Sequence, residues 1–168
     1  MFLLKQLPEK KLLKKLAKES KDIDPTRAVF SLQFLRTASD ALISIDKFFA
    51  SKGLSHGRFL ALMVLGDAGD AGLFPFEIAD HMGVSRATAS GLIKGLESAG
   101  YVASSQSKTD GRMKKILITD TGADFLEALT PEYYSFISRF TGTTEKKILK
   151  NFTAVLSDIS DNVKNIYQ

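Results

Sequence analysis

The chain has 168 residues, 44% of them hydrophobic, and 23 Lys and Arg against 19 Asp and Glu give it a net charge of +4. That is enough apolar material for one domain with a real core, or for a smaller lobe joined to an oligomerisation lobe. No run of roughly 18 apolar residues is present, so no membrane-spanning helix is expected. The absence of cysteine rules out disulfides, suits a reducing cytoplasm and excludes thiol-based peroxide sensing. Met1, Phe2, Leu3 and Leu4 are followed at once by Lys5 and a lysine-rich segment, the wrong order for a secretory signal, so a cytoplasmic location is expected.

In residues 6–20, Leu7, Leu12, Leu13 and Leu16 oppose Lys10, Lys11, Lys14, Lys15 and Lys18, which predicts a short amphipathic helix. Such a helix suits packing on a dimer or extra phosphate contacts, and its two faces would also suit an anionic lipid surface. Residues 25–52 read as a long helix carrying Phe30, Phe34, Leu35, Ala38, Leu42, Ile45, Phe48 and Phe49. Leu54 and the cap-like Ser55 start the next helix, with His56 in its first turn. Gly66, Asp67, Ala68, Gly69, Asp70, Ala71 and Gly72 lack the Gly-Lys-Ser/Thr ending of a phosphate loop, and Glu77 falls at the wrong distance from Asp67 for a calcium loop. This stretch is expected to be a flexible connector leading to a short strand at Leu73 and Phe74, with Pro75 opening the following helix.

Residues 74–119 carry the clearest functional signal. Ala79 is small enough to let two short helices cross, Gly83 tolerates the positive φ of a tight turn, and Val84 packs inward. Ser85 is a good N-cap for the second helix. Ala89, Leu92, Ile93 and Leu96 form one apolar face of that helix, so Ala87, Ser90, Gly91 and Lys94 point the opposite way, flanked by Arg86 and Thr88. A small, polar and basic outward set is what a helix seated in the major groove needs. Residues 101–107 and 113–118 then read as two strands joined by a turn containing Asp110 and Gly111. Lys108 and Arg112 lie at or near the tip of this wing, where a guanidinium can enter the minor groove, and Asp110 can hold Arg112 through a charged hydrogen bond.

Leu126, Leu129, Tyr133, Phe136 and Phe140 share a helical rhythm that Pro131 should bend or restart. Leu149, Phe152, Leu156, Ile159, Val163 and Ile166 recur at heptad-like spacing, widened by Ile148 and Val155. These helices have more apolar face than one small winged helix can cover, which favours a dimer over a monomeric bundle. A dimer would also present two reading helices about 34–36 Å apart to a near-palindromic site.

Charge follows the same division. Residues 1–20 carry six Lys against two Glu, and residues 84–115 carry six Lys and Arg against two acids, while the remainder is net negative. Basic charge on the reading helix and wing is the footprint of phosphate contact. With only His56 and His81 as imidazoles, no catalytic constellation, metal site or cofactor motif is found, and His81 reads as a surface residue of the first short helix. An enzyme is not expected.

The sequence resembles the MarR-type (multiple antibiotic resistance regulator) winged helix-turn-helix transcription factors. The likeness runs from Leu54, Ser55, His56, Gly57, Arg58 and Phe59 through Val84-Ser85, Thr88-Ala89-Ser90, Leu96-Glu97 and Gly100-Tyr101-Val102. It ends on Asp110-Gly111-Arg112 and Leu117-Ile118-Thr119-Asp120-Thr121-Gly122. It implies a mainly α fold with a small β wing, in which residues 54–119 bind DNA, residues 25–53 and 120–168 form a helical dimerisation region, and residues 1–24 are a basic extension. It further implies sequence-specific regulation, more often repression than activation, with Ser85, Arg86, Ala87, Thr88, Ser90 and Lys94 in the major groove and Lys108 and Arg112 on the wing. A small aromatic or phenolic effector would bind between the dimer helices and the winged region, near Phe30, Phe34, His56, Phe59 and Phe74, unless these are ordinary core. The chain departs from the family at Gly91, Gly95 and Ser104, where basic residues are common. A winged-helix protein-interaction module without DNA binding is therefore the competing reading. Two glycines inside a helix cost about 1 kcal/mol each relative to alanine, which implies close approach either to DNA or to a neighbouring element.

Overall fold

The computed structural model describes residues 8, 10–20, 22–106 and 114–166. Helices α1 (Lys10–Glu19), α2 (Pro25–Ser51), α3 (His56–Ala68), α4 (Pro75–Met82) and α5 (Arg86–Ser98) precede strands β1 (Val102–Gln106) and β2 (Lys114–Ile118). Helices α6 (Asp120–Ser138) and α7 (Lys146–Asn165) follow. This is the expected mainly α architecture with a small β wing. The fold divides between Thr130 and Pro131 into two units.

Local chemistry sets the helix starts. The Asp24 carboxylate accepts the N–H groups of Thr26 at 2.8 Å and Arg27 at 3.1 Å, ahead of Pro25 in the first turn of α2. The Ser55 hydroxyl accepts the Arg58 N–H at the start of α3. The Glu77 carboxylate reaches back to the Phe74 N–H at 2.7 Å, ahead of Pro75 in α4. Each bond satisfies one of the donors that a helix start leaves without an internal partner.

In the first unit the core lies mainly among α3, α4 and α5. Phe59, Leu62 and Leu65 of α3, Ile78 of α4 and Leu96 of α5 are fully buried, and Phe49 of α2 joins them. Phe49 packs on Phe59 with ring centroids 4.6 Å apart and stacks on His56 at 5.3 Å. Desolvation in that position pushes the His56 imidazole below its ordinary pKa, against the opposing charge of Asp46. The neutral ring is thereby favoured.

The stretch expected to be a flexible connector takes regular structure. Gly66 lies inside α3, and residues Gly69–Ala71 form a single 3-10 turn. Leu126 of α6 packs so closely over Gly66 that a Cβ there would sit 2.6 Å from its Cδ2. Gly66 thus serves close packing, whereas Gly69 has nothing within 4 Å of a would-be Cβ and instead takes a φ of 53°. Beyond the turn, the expected short strand is reduced to a single antiparallel bridge, in which Leu73 exchanges backbone hydrogen bonds with Ile116 at 3.0 and 2.8 Å, while Phe74 is already the N-cap of α4.

Strands β1 and β2 pair antiparallel, from Val102 opposite Ile118 to Gln106 opposite Lys114. Val102 and Ile116 are buried, whereas the far end of β1 is exposed. The exit from the wing is a knot of short contacts. Thr119 donates its hydroxyl to the Gly100 carbonyl at 2.7 Å and accepts the Gly122 N–H at 3.1 Å, which caps α6. Gly122 lies against the backbone of residue 101: a Cβ at Gly122 would stand 2.0 Å from the Tyr101 carbonyl oxygen. One turn on, Phe125 stacks on the Tyr101 ring at 4.6 Å. The Leu117, Thr119 and Gly122 pattern thus encodes a strand end, a cap and a close approach.

Pro131 does not restart the helix, which continues to Ser138 with the proline inside it. The missing N–H costs one bond to the carbonyl four residues back. Leu129 remains buried just before it, and the Thr130 hydroxyl donates to the Leu126 carbonyl at 2.6 Å.

The second unit holds the end of α6, a 3-10 turn at Arg139–Thr141 and α7. Phe136 and Phe140 meet edge to face at 5.2 Å, with the Arg139 guanidinium over the Phe136 ring. On α7, Ile148, Phe152, Val155, Leu156 and Val163 are exposed, while Leu149 and Ile159 are half-buried.

Two glycine substitutions should have opposite signs. Gly122→Ala forces α6 away from Tyr101 and should lower unfolding stability by about 1–3 kcal/mol. Gly91 of α5 has open space where a Cβ would go, so Gly91→Ala should raise stability by about 0.5–1 kcal/mol through helix propensity alone. Urea denaturation midpoints of the two variants test both values.

Candidate nucleic-acid interface

The α4–α5 pair forms the helix-turn-helix. Ala79 is buried at the crossing, Gly83 closes the turn with φ of 63°, and the half-buried Val84 donates its N–H to the Ala79 carbonyl at 3.0 Å. Ser85 caps α5 by accepting the Thr88 N–H at 3.1 Å, and its hydroxyl also pairs with that of Thr88 at 2.8 Å. Both hydroxyls are thereby held at the start of the helix. Ala89, Ile93 and Leu96 are buried and Leu92 is half-buried, which leaves Arg86, Ala87, Thr88, Ser90, Gly91 and Lys94 exposed. The outward set expected from periodicity is the outward set observed.

Arg86 and Ser90 share an open cleft of about 350 Å³ with Phe74, Pro75 and Phe76 at the start of α4 and with Lys114 of β2. The Phe74 and Phe76 rings stack at 5.7 Å. Lys115 lies 5.3 Å over the Phe74 ring and donates to the Ala71 carbonyl at 2.9 Å. Lys114 of β2 therefore stands beside the start of α5, and Lys115 beside the start of α4. Lys108, Asp110 and Arg112 lie outside the described residues.

Ser104 on β1 is hydrogen-bonded to Glu97 of α5, which ties the wing to the reading helix. The two α5 glycines have different surroundings. Gly91 faces open space, whereas a Cβ on Gly95 would fall 2.3 Å from the Arg58 guanidinium. Arg58 comes from the first turn of α3, and nothing in local sequence signals that it reaches α5. A glycine at a helical position of otherwise ordinary composition was the only available hint.

Of the residues expected to line an effector pocket, Phe59 is fully buried, Phe30 is exposed, and Phe34, His56 and Phe74 are half-buried. Phe49 brings His56 and Phe59 together, while Phe74 belongs to the stack with Phe76. Among the described residues no group of three or more His, Asp or Glu could hold a metal ion, and no helix is long and apolar enough to cross a membrane.

Comparison with known proteins agrees with this geometry. Residues 52–113 match the model of the MarR family. The chain is 31% identical over 160 residues to the HTH-type transcriptional repressor YetL of Bacillus subtilis (strain 168), covering 95% of this chain and 96% of that protein. Its fold is similar to that in the S. aureus MepR–DNA complex, with a TM-score of 0.69 and 19% identity over 79% of this chain and 97% of that one. It is also similar to CouR from Rhodococcus jostii RHA1 bound to p-coumaroyl-CoA, with a TM-score of 0.62 and 21% identity over 77% and 90% of the two chains. With a helix-turn-helix capped by Ser85, a two-stranded wing tied to it through Glu97, and a full-length relative at this identity, the chain belongs to the MarR family of winged helix-turn-helix, DNA-binding transcriptional regulators.

Proposed function

We propose that the protein is a dimeric, sequence-specific repressor released by a small-molecule effector, acting in the cytoplasm. The observation that carries the DNA-binding part is the exposed polar and basic side of α5 backed by a buried apolar side. In this reading Arg86, Ala87, Ser90 and Lys94 meet base edges or adjoining phosphates in the major groove. Ser85 and Thr88 act mainly by holding the helix start, where their hydroxyls can also touch phosphate. Lys108 and Arg112 serve the wing, with Asp110 orienting Arg112. Residues 54–119 form the DNA-binding region, and residues 25–53 and 120–168 the dimerisation region.

Exposed apolar side chains support the dimer. Phe30, Leu35, Leu42 and Ile43 of α2 and Phe152, Val155, Leu156 and Val163 of α7 face water in the single chain. Fully covering one such side chain contributes about 1.5–3 kcal/mol, and a second copy supplies the matching surfaces with twofold symmetry. Two reading helices then engage successive major grooves.

The effector is a small aromatic or phenolic molecule bound near Phe30, Phe34 and His56, with Phe59 as buried backing and Phe74 towards the reading helix. The structure of CouR with p-coumaroyl-CoA supports such a ligand by analogy within the fold. Release follows if the ligand binds one separation of the reading helices better than the other.

Selection of duplexes from a random pool, followed by anisotropy titration, tests the DNA-binding reading. A near-palindromic sequence should emerge, and Arg86→Ala should weaken its binding by about 1–3 kcal/mol with relaxed preference at one base pair per half-site. If no duplex is retained even at low salt, the winged-helix interaction module replaces this reading. Light scattering should give twice the chain mass, and Leu156→Glu on α7 should shift it towards the single chain. A wild-type protein that scatters as a monomer would remove the dimer from the mechanism.

A further inference from the structure

We propose that Arg58, a residue of α3 and not of the helix-turn-helix, is a DNA phosphate contact delivered through the side-chain-free gap at Gly95. The inference rests on the DNA-binding reading above and adds a residue to it.

Two contacts seat the first turn of α3 on α5. Leu92 of α5 lies over Gly57, where a Cβ would come within 3.1 Å of its Cδ2. One residue on, the Arg58 guanidinium lies over Gly95, where a Cβ would come within 2.3 Å of Nε and one terminal nitrogen. The second contact is polar, and its purpose is not packing alone. A half-buried Arg that served only the fold would be expected to meet a carboxylate or a carbonyl cluster. Arg58 makes no ion pair with a carboxylate among the described residues. Its neighbours in an open cleft of about 450 Å³ are Gly91, Lys94, Gly95, Ser98 and Ala99. The cleft therefore holds two cations and no acid.

Its place on α5 decides the ligand. With about 100° between successive residues, Gly95 lies on the flank of α5, between the buried face and the outward face that carries Gly91, Lys94 and Ser98. An α-helix about 10–12 Å across fills a major groove about 12 Å wide. Its outward face meets base edges, and its flanks meet the sugar-phosphate walls. A guanidinium lying along the flank is thus presented to a phosphate rather than to a base. Any side chain at Gly95 would occupy the same space, so the glycine makes room for a cation borne by another helix. Because Ser55 caps the first turn of α3 and Gly95 accommodates the guanidinium, much of the ordering cost is met before DNA arrives.

Salt dependence distinguishes this contact from a structural role. Each phosphate neutralised contributes close to one unit to the slope of log affinity against log salt. On the duplex selected above, Arg58→Met should weaken binding by the same factor on every sequence variant and make the slope shallower by about 1, with base preference unchanged. Arg58→Lys should keep most of the slope. Gly95→Ala, which displaces the guanidinium without removing its charge, should weaken binding in the same sequence-independent way. If Arg58→Met does not fold, Arg58→Gln removes the charge while keeping a polar head of similar reach, and its slope decides. A folded neutral variant with the wild-type slope overturns the Arg58 contact while leaving DNA binding intact. Failure of the wild type to bind any duplex overturns both.

Discussion

The burial of Ala89, Ile93 and Leu96 against α3 and α4 is the constraint on which the rest of the structure depends. Once that side of α5 is committed to the core, the helix cannot rotate without exposing apolar surface, at a cost of about 25 cal/mol for each Å². The side chains offered to a partner are therefore set by packing. Arg86, Ser90 and Lys94 are presented because three residues on the other side of the same helix are held.

Everything around α5 reinforces that orientation. The Ser85 cap and the Gly83 turn define where the helix begins, and Ala79 permits the close crossing of α4. Glu97 ties α5 to Ser104 of the wing, while Thr119 and Gly122 tie the wing to α6 at the backbone of Gly100 and Tyr101. Reading helix and wing are thus parts of one packed body.

Arg58 illustrates how a cation can be supplied to a helix surface from outside the helix. Guanidinium charge at the α5 flank comes from α3, and the glycine beneath it provides the space. Residue type at a single position of the reading helix is consequently a poor guide to the charge found there. Lys115 behaves similarly, reaching from β2 over the Phe74 ring beside the start of α4.

Local signals in the sequence were sufficient for the helix-turn-helix, its cap, its turn and its outward face, as well as the paired strands. Each depends on residues a few positions apart: a hydroxyl three residues from an amide, a glycine at positive φ, apolar residues at helical or alternating spacing. The family resemblance added the arrangement of these parts. Tertiary structure alone decided what Gly66, Gly95 and Gly122 are for, because a glycine records only that something comes close. Its partners, Leu126, Arg58 and the Tyr101 carbonyl, arrive from other elements. The same holds for the 3-10 turn after α3 and for the passage of α6 through Pro131, where the loss of one backbone bond does not interrupt the helix. Contacts between distant segments depend on the shape of the assembled core, which no window of neighbouring residues contains.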